Sequence, residues 1–578
     1  MKVVIIGGVA GGATAAARIR RLDEHAEIII IERSGFVSYA NCGLPYYIGD
    51  VIEDPEELTL QTPEGFRKRF LIDVRVNSEA TAIDTEKKSV TVKDLSTGDV
   101  YTEDYDKLII STGAKPVRPD VPGIDNENIF SLRTVEDTFK IHDHVREKNP
   151  KQAVIVGGGF IGLEMAENLR NKGLDVTVLQ RSDHVMKNFD YDMAALIHAV
   201  LRGHGIKVKT GIDIAGFKDD GDFVRVMING DDDINTDMVI MAVGVMPETE
   251  LAKEAGLELG INDSIVVNDE MQTSDPDVYA VGDAVQKTNP VSGKEVLISL
   301  AGPANKQARV AADNICGIKS KYKGSVGSSV IKLFEMTAAT TGLSEKAAKA
   351  AGFDCESVIL SPASHAGYYP GARVMTMKVT FEKKTGKILG SQIIGYEGVD
   401  KRIDVLAAAI HFKAVADDLK ELDLAYAPPF SSAKDPVNMA GFMIENIITG
   451  NVKQFFWNTV EELPLDGSVT LIDARTPGEY KRGHAEGFVN IPVDEVRERL
   501  GEIDKTKPVY VMCQSGIRSY ITCRILSQEG YDCYNFSGGY RFYESVTKEK
   551  NFSETQNICF RLCCRSCSGS IWLCFAFQ

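Results

Sequence analysis

Short apolar runs that end in glycine recur along the first three hundred residues, and between them the apolar positions fall at helical spacing. Lys2 to Ile6 reads as a strand. Gly7-Gly8-Val9-Ala10-Gly11-Gly12 follows, and the alanine-rich stretch Ala13 to Arg21 reads as a helix. Ile28 to Ile31 is the next strand, closed by Glu32. Strand, glycine-rich turn, helix, strand and closing acid make a βαβ dinucleotide-binding unit. The glycines admit a pyrophosphate, the helix N-terminus attracts its charge, and the acid accepts hydrogen bonds from a ribose. Val9 stands where the middle glycine of this fingerprint belongs.

The unit occurs a second time, and complete: strand Gln152 to Val156, then Gly157-Gly158-Gly159-Phe160-Ile161-Gly162, helix Leu163 to Lys172 and strand Asp175 to Leu179. Two such motifs predict one bound flavin and one nicotinamide substrate. Leu108 to Gly113 and Val239 to Gly244 are apolar strands ending in glycine, and Val278 to Gly282 is a strand whose end offers the Asp283 carboxylate. The candidate cofactor-binding residues are Gly7, Gly8, Ala10, Gly11, Gly12, Glu32, Arg33, Ser111, Thr112, Gly113, Gly157, Gly159, Phe160, Ile161, Gly162, Gln180, Arg181, Gly244, Gly282, Asp283 and Ala301. Gln180-Arg181 follows the second unit where an acid would favour NADH. A neutral residue with an arginine permits the extra phosphate of NADPH without demanding it.

Past residue 326 the nucleotide motifs stop. Val374 to Phe381 and Ile388 to Ile394 alternate as strands around Lys383-Lys384-Thr385-Gly386, a hairpin signal. Helices are expected over Val399 to Ala414 and near Val437 to Ile448, and Gly450 to Asn458 reads as a connector. A fresh α/β pattern begins with Leu471 to Arg475 and Val509 to Cys513. The last residues, from Asn551, lack any helical or strand period and hold five of the eleven cysteines. Cys564-x-x-Cys567 there is half a metal-site spacing without the other half, so no metal is expected and the segment reads as an unpacked extension.

At 578 residues the chain holds several domains, with 44% hydrophobic and 25% charged residues. A net charge of −17 argues against nucleic-acid binding. No apolar run is long enough to span a membrane, and Met1-Lys2 runs straight into a strand without a leader, so a cytoplasmic protein is expected. The cysteines there need reduced or catalytic roles.

Cys42 is the first of these, in Ser38-Tyr-Ala-Asn41-Cys42-Gly43-Leu-Pro45, about ten residues after Glu32. The next cysteine is Cys316, so no local disulfide can close. A flavin enzyme so built cycles one cysteine through a sulfenate, a persulfide or a mixed disulfide. A nearby positive or dipolar group would lower the thiol pKa. Thr14, Arg18 and Arg21 share one face of the first helix, a grip for a phosphorylated ligand or a solvated charged face.

The two glycine-rich units, the strands ending at Gly113 and Gly244 and the Gly282-Asp283 strand end, in that family order, resemble the flavoprotein disulfide reductase family with two dinucleotide domains. Ser38-x-x-Asn41-Cys42-Gly43 with the arginine face resembles its single-cysteine coenzyme A disulfide reductases. The resemblance implies FAD, NADPH or NADH as hydride donor, and coenzyme A as the thiol paired with Cys42. It implies coenzyme A contacts at Thr14, Arg18, Arg21, Ser38, Asn41 and Lys434, and tyrosines, Tyr368 and Tyr426, that reach the cysteine across a homodimer. For Tyr369 interface packing weighs equally. NADH oxidases and peroxidases, which use a cysteine sulfenate, are the alternative; they carry a histidine in the first glycine-rich turn, where Ala10 stands here.

Asp473-Ala-Arg475, Gly483-His484-Ala-Glu486-Gly487, Asn490-Ile-Pro492, Cys513-Gln514-Ser515-Gly516-Ile517-Arg518-Ser519 and Gly538-Gly539 resemble a rhodanese domain. There Cys513 would carry a persulfide, cradled by loop amides, with a helix from Tyr520 to Gln528 and the charge of Arg518 behind it. An inactive docking module is the other reading; Cys523 and Cys533 read as structural. The expected fold is α/β, with FAD-binding parts at 1–116 and 247–325, an NAD(P)H-binding domain at 117–246, an α+β dimerisation domain at 326–450, a linker at 451–458, a rhodanese domain at 459–550 and a tail at 551–578. The implied reaction is NAD(P)H-dependent reduction of a small disulfide, persulfide or polysulfide.

Overall fold

The computed structural model describes residues 1–566, with side chains to Phe552. The chain divides into two compact units, one of 1–179, 214–227 and 233–327, the other of 180–213, 228–232 and 328–578.

The first unit is built on two parallel sheets. In one, Lys2–Ile6 lies between Glu27–Ile31 and Lys107–Ile110, with Asp73–Arg75 and Val278–Ala280 outside them. Lys2–Ile6 and Glu27–Ile31 are buried on both faces over nearly all their length, which explains their unbroken Val/Ile runs. In the other, Gln152–Val156 lies between Asp175–Gln180 and Met238–Met241, with Ile129–Ser131 beyond. The two glycine turns are built alike. Gly7 and Gly157 have φ of +95° and +110°, and a Cβ on either would strike the carbonyl of Ser111 or Ala242. Only glycine meets both demands. The helices that follow, Ala10–Leu22 and Phe160–Asn171, each start three residues earlier than their apolar periods indicated, inside the fingerprint. Gly12 and Gly162 sit so close to the carbonyls of Gly7 and Gly157 that no side chain fits. The Ala301–Ile315 helix packs against Ala10–Leu22.

The second unit holds a five-stranded antiparallel sheet in the order Ser329–Leu333, Met336–Gly342, Ile388–Gly395, Thr376–Glu382, Cys355–Leu360, with the helices Val399–His411 and Pro436–Ile448. Buried Lys378 sits among Asp190, Asp192 and Glu345 at 2.9–3.1 Å. A parallel sheet follows: Lys453–Phe455, Cys533–Phe536, Val509–Met512, Thr470–Asp473, Val489–Asn490.

Two expectations are corrected. The segment 451–458 is not a linker: Lys453–Phe455 pairs with Cys533–Phe536 as an edge strand, and buried Phe455 packs on Phe536. The chain does not lose regular structure at 551 either. The Gly539–Ser566 helix runs through it, held by a Lys548–Glu544 pair and by Glu549 and Phe552, which both meet the Tyr191–Gly203 helix. Cys567 and Cys574, and the side chains of Cys559, Cys563 and Cys564, lie outside the described residues. Among the described residues no group of three or more His, Cys, Asp or Glu side chains is placed to hold a metal, and no helix is long and apolar enough to cross a membrane.

Candidate functional site

Cys42 lies in the single turn Asn41–Gly43, just before the short helix Leu44–Ile48. The thiol is exposed and free. The charges facing it are mixed. Burial of the sulfur's surroundings pushes the thiol pKa up, the carboxylates of Glu164 and Asp283 push it further, and Arg133 alone opposes them. The direction is opposite to the lowering that a nearby positive group alone would give. Arg133 lies 3.6 Å from Asp283. The Asn41 amide, oriented to suit its neighbours, donates to the Arg133 carbonyl and accepts from Nη1, both at 3.0 Å.

Glu164 is raised to about 7, chiefly by burial and then by nearby Glu167, while a hydrogen bond donated by Tyr46 at 3.3 Å opposes the rise. Arg133, Tyr46 and Glu164 carried no sequence signal of their own. Glu164 follows the last fingerprint glycine by two residues, the one hint available.

The candidate cofactor residues lie at strand ends and helix starts. Glu32 Oε2 accepts from the Gly8 amide at 2.8 Å and Oε1 from Ser34 at 2.9 Å, which fixes the acid at its strand end. A Cβ on Gly11 would strike Ser111, whereas Gly159 faces open space, a cradle for a phosphate. Burial pushes Asp283 up against the pull of Arg133. That carboxylate suits the hydroxyls of a ribityl chain. Arg33 is tied to Glu248 at 2.7 Å, whose carbonyl accepts from Thr112 at 2.6 Å. Ala10 opens the first helix and Ala301 the helix Ala301–Ile315, neither with a side-chain cap. Gly113, Gly244 and Gly282 all hold positive φ at strand ends. Phe160 and Ile161 form the first turn of their helix. Gln180 and exposed Arg181 belong to the second unit, Gly157 to Gly162 and Gly244 to the first.

The helix face expected to hold a phosphorylated ligand is partly committed. Arg18 bridges Asp313 at 2.8 Å, and Thr14 donates to Asn305 at 2.7 Å. Arg21 is exposed. Ser38 takes a left-handed φ of 49° and donates its amide to the Gly8 carbonyl at 2.8 Å. In the second unit, the Tyr368 and Tyr426 hydroxyls touch at 2.7 Å, with Tyr368 76% exposed. Tyr426 edges a cavity of about 600 Å³ that His365, Lys401, Arg402 and Phe430 also line. Lys434 is exposed; Tyr369 sets its ring against His365.

Cys513 ends the Val509–Met512 strand and is fully buried. Its sulfur accepts from the Gly516 amide and the Ser519 hydroxyl, both at 3.2 Å. The helix behind it begins at Ile517, not Tyr520, so Ile517, Arg518 and Ser519 form its first turn and only Gln514, Ser515 and Gly516 remain loop. Arg518 does not add free charge at the sulfur. Both its terminal nitrogens donate to Glu479 at 2.7 Å, which holds that carboxyl at about 2. Arg475 pairs with Asp473 at 2.7 Å and donates to Gln514 at 3.1 Å, and Tyr540 covers its guanidinium at 3.9 Å. A cleft of about 330 Å³ opens there, lined also by Glu479, Arg482 and Glu544. Cys523 and Cys533 are buried, and Cys533 Sγ lies 3.2 Å from the Cys523 carbonyl.

Residues 1–312 match the pyridine nucleotide-disulphide oxidoreductase family, 328–436 its dimerisation domain and 457–545 the rhodanese-like domain. The coenzyme A disulfide reductase of Staphylococcus haemolyticus is 36% identical over 447 residues, 77% of this chain and 100% of that protein. The crystal structure of reduced Bacillus anthracis CoADR-RHD superposes with a TM-score of 0.92 at 47% identity, covering 95% of this chain and 98% of that one. An NAD-dependent persulfide reductase from A. fulgidus gives 0.88 at 38% identity, covering 94% and 100%. The water-forming NADH oxidase of Lactobacillus brevis gives 0.75 at 29%, covering 78% and 99%. The family depends on FAD and NAD(P)H. This chain is an oxidoreductase that belongs to the pyridine nucleotide-disulphide oxidoreductase family and carries a C-terminal rhodanese-like domain.

Proposed function

We propose that this protein reduces coenzyme A disulfide, coenzyme A persulfide or polysulfide with NAD(P)H, using Cys42 as its one redox thiol and Cys513 as a carrier of sulfane sulfur. The observation that carries the reading is the pairing of a solitary, accessible Cys42 beside a dinucleotide cradle with a caged Cys513 on the same chain. The likeness to a coenzyme A disulfide reductase over 77% of the chain and to a persulfide reductase over 94% of it supports it.

FAD, bound along Gly7 to Gly12, Glu32 and Asp283, would supply a two-electron relay from the nicotinamide to the disulfide at Cys42. Cys42 holds coenzyme A as a mixed disulfide; two electrons and one proton break that S–S bond, releasing coenzyme A as its thiol and leaving Cys42 as a thiolate. The Cys42 thiolate attacks the incoming sulfur bond, which re-forms the mixed disulfide and expels coenzyme A thiolate from the disulfide or hydrosulfide from the persulfide, and that leaving group takes up the second proton. For the disulfide the sum is NAD(P)H + H⁺ + CoA-S-S-CoA giving NAD(P)⁺ and two CoA-SH. For the persulfide it gives NAD(P)⁺, CoA-SH and H₂S. Tyr368 and Tyr426 share one hydrogen bond, so one phenol proton remains to be donated to a leaving thiolate. They would serve the partner's Cys42 in a homodimer, for which the matched dimerisation domain speaks.

The test is anaerobic NADPH and NADH oxidation by the FAD-loaded protein with coenzyme A disulfide, coenzyme A persulfide or hydrogen peroxide. Turnover with coenzyme A species, lost in Cys42→Ser, supports the reading. Turnover with peroxide or oxygen alone replaces it with the sulfenate oxidase.

A further inference from the structure

An unbroken line of hydrogen bonds within the second unit joins the end of the nucleotide-binding strand to the last helix of the rhodanese-like domain. Gln180 Nε2 donates to Ser182 Oγ at 2.5 Å, and Ser182 Oγ donates to the His184 carbonyl at 2.8 Å. His184 Nδ1 donates to the Val185 carbonyl at 2.7 Å. The Val185 amide donates to His198 Nε2 at 3.0 Å, and His198 Nδ1 donates to Glu549 Oε1 at 2.9 Å. An amide donor at Nε2 leaves His198 a single neutral tautomer, with its proton on Nδ1 facing Glu549. His198 is fully buried and Glu549 5% exposed, so neither can swap its partner for water. The second Glu549 oxygen takes Arg202, whose guanidinium stacks on Phe552 at 4.1 Å.

We propose that Glu549 and His198 are positioning residues through which the docked rhodanese-like domain holds the segment 180–185 in its nucleotide-binding shape, and so sets the affinity for NADPH. This rests on the reading of Gln180 and Arg181 as contacts of the nucleotide's adenosine end. Coupling of this kind runs both ways: what the helix does for the nucleotide, the nucleotide does for the helix. The sulfur-carrying domain then senses whether the hydride donor is bound, and the donor site senses whether that domain is seated.

The test uses the full-length, FAD-loaded protein with coenzyme A disulfide under anaerobic conditions. Glu549→Ala should raise KM for NADPH about threefold to tenfold, the worth of one lost hydrogen bond, with kcat within about twofold. Glu549→Gln keeps an acceptor for His198 and should restore a KM near the unaltered value, which a merely structural role of the charge would not predict. Arg181→Ala separates the proposal from the reading beneath it. If Arg181→Ala raises KM and Glu549→Ala does not, the coupling is wrong. If neither moves KM, the nucleotide reading falls and the coupling with it. Should Glu549→Ala fail to fold, amide exchange in the unaltered protein decides: NADPH slows exchange over 545–552 if the sites are coupled, and unchanged exchange there overturns the proposal.

Discussion

The two reactive thiols differ in almost every physical respect. Cys42 is exposed, on a one-turn element, and its thiol pKa is pushed up by burial and two carboxylates against the pull of one guanidinium. Cys513 is fully buried, at the join of a strand and a twelve-residue helix, and two donors point at its sulfur. The first is open to solvent and has one cation beside two carboxylates; the second is closed off from solvent, with its donors already in place. On the proposed function, the first would draw its electrostatic support from what binds and the second would already hold the donors for one more sulfur atom. The difference teaches that thiol chemistry can be installed by leaving a site unfinished as well as by finishing it.

The sharpest way to break this contrast is to remove each thiol in turn. Cys42→Ser should cut NADPH-dependent reduction of coenzyme A disulfide by about 10³-fold or more, since the next cysteine in the sequence is Cys316 and a hydroxyl cannot replace the thiolate. Cys513→Ser should leave that activity within about twofold while abolishing sulfur loading at the rhodanese-like domain. Equal losses in both would mean that the sites are not separable.

A smaller effect is expected from the cage. Ser519→Ala removes one of two donors to the sulfur. Transfer of sulfane sulfur from thiosulfate through Cys513 should slow about tenfold, the worth of a hydrogen bond to a charged group, with Cys42 chemistry unchanged.

At Cys42 the contrast is tested by pH. Glu164 titrates near 7, well above its ordinary 4.5, so its charge appears only as pH rises through that window. Above pH 7 the carboxylate opposes the Cys42 thiolate. Glu164→Gln should therefore shift the pH profile of Cys42 alkylation to lower pH, and alkylation at pH 8 should speed up about threefold. The sign for stability is the same. A carboxyl whose pKa rises on folding favours the folded state while protonated, so unaltered protein loses stability between pH 4.5 and 7 and the glutamine variant does not.

The smallest effect belongs to Glu479, held at about 2 by Arg518. Its contribution is present above the ordinary 4.5 and is lost as pH falls through 2. The pair is partly exposed, so Glu479→Gln should cost no more than about 1 kcal/mol, measured by denaturant unfolding at pH 7. The freed Arg518 would then add the charge near Cys513 that the native protein withholds.

What the sequence made legible follows from what is local. Both glycine turns, the strands that flank them and both thiols are read from consecutive residues, because backbone sterics and burial act within a few positions. The helix starts were misplaced because fingerprint glycines look like turn yet begin the helix when a neighbouring carbonyl crowds them, as at Gly12 and Gly162. Lys453–Phe455 is three residues long and pairs Lys453 with Tyr534, 81 positions later, so nothing beside it marks it as a strand. The charge around Cys42 is illegible for the same reason: Glu164, Asp283 and Arg133 come from three distant segments. Arg518 looked like free charge because Glu479 stands 39 residues before it.

The division of labour between the two thiols is tested most directly by mass spectrometry of peptides from the full-length protein. It would be treated first with coenzyme A disulfide and then, separately, with thiosulfate as sulfane donor. The expected result is a coenzyme A adduct on Cys42, released by a thiol reductant, and a single added sulfur on Cys513. Coenzyme A on Cys513, or the added sulfur on Cys42 with Cys513 unmodified, would contradict it.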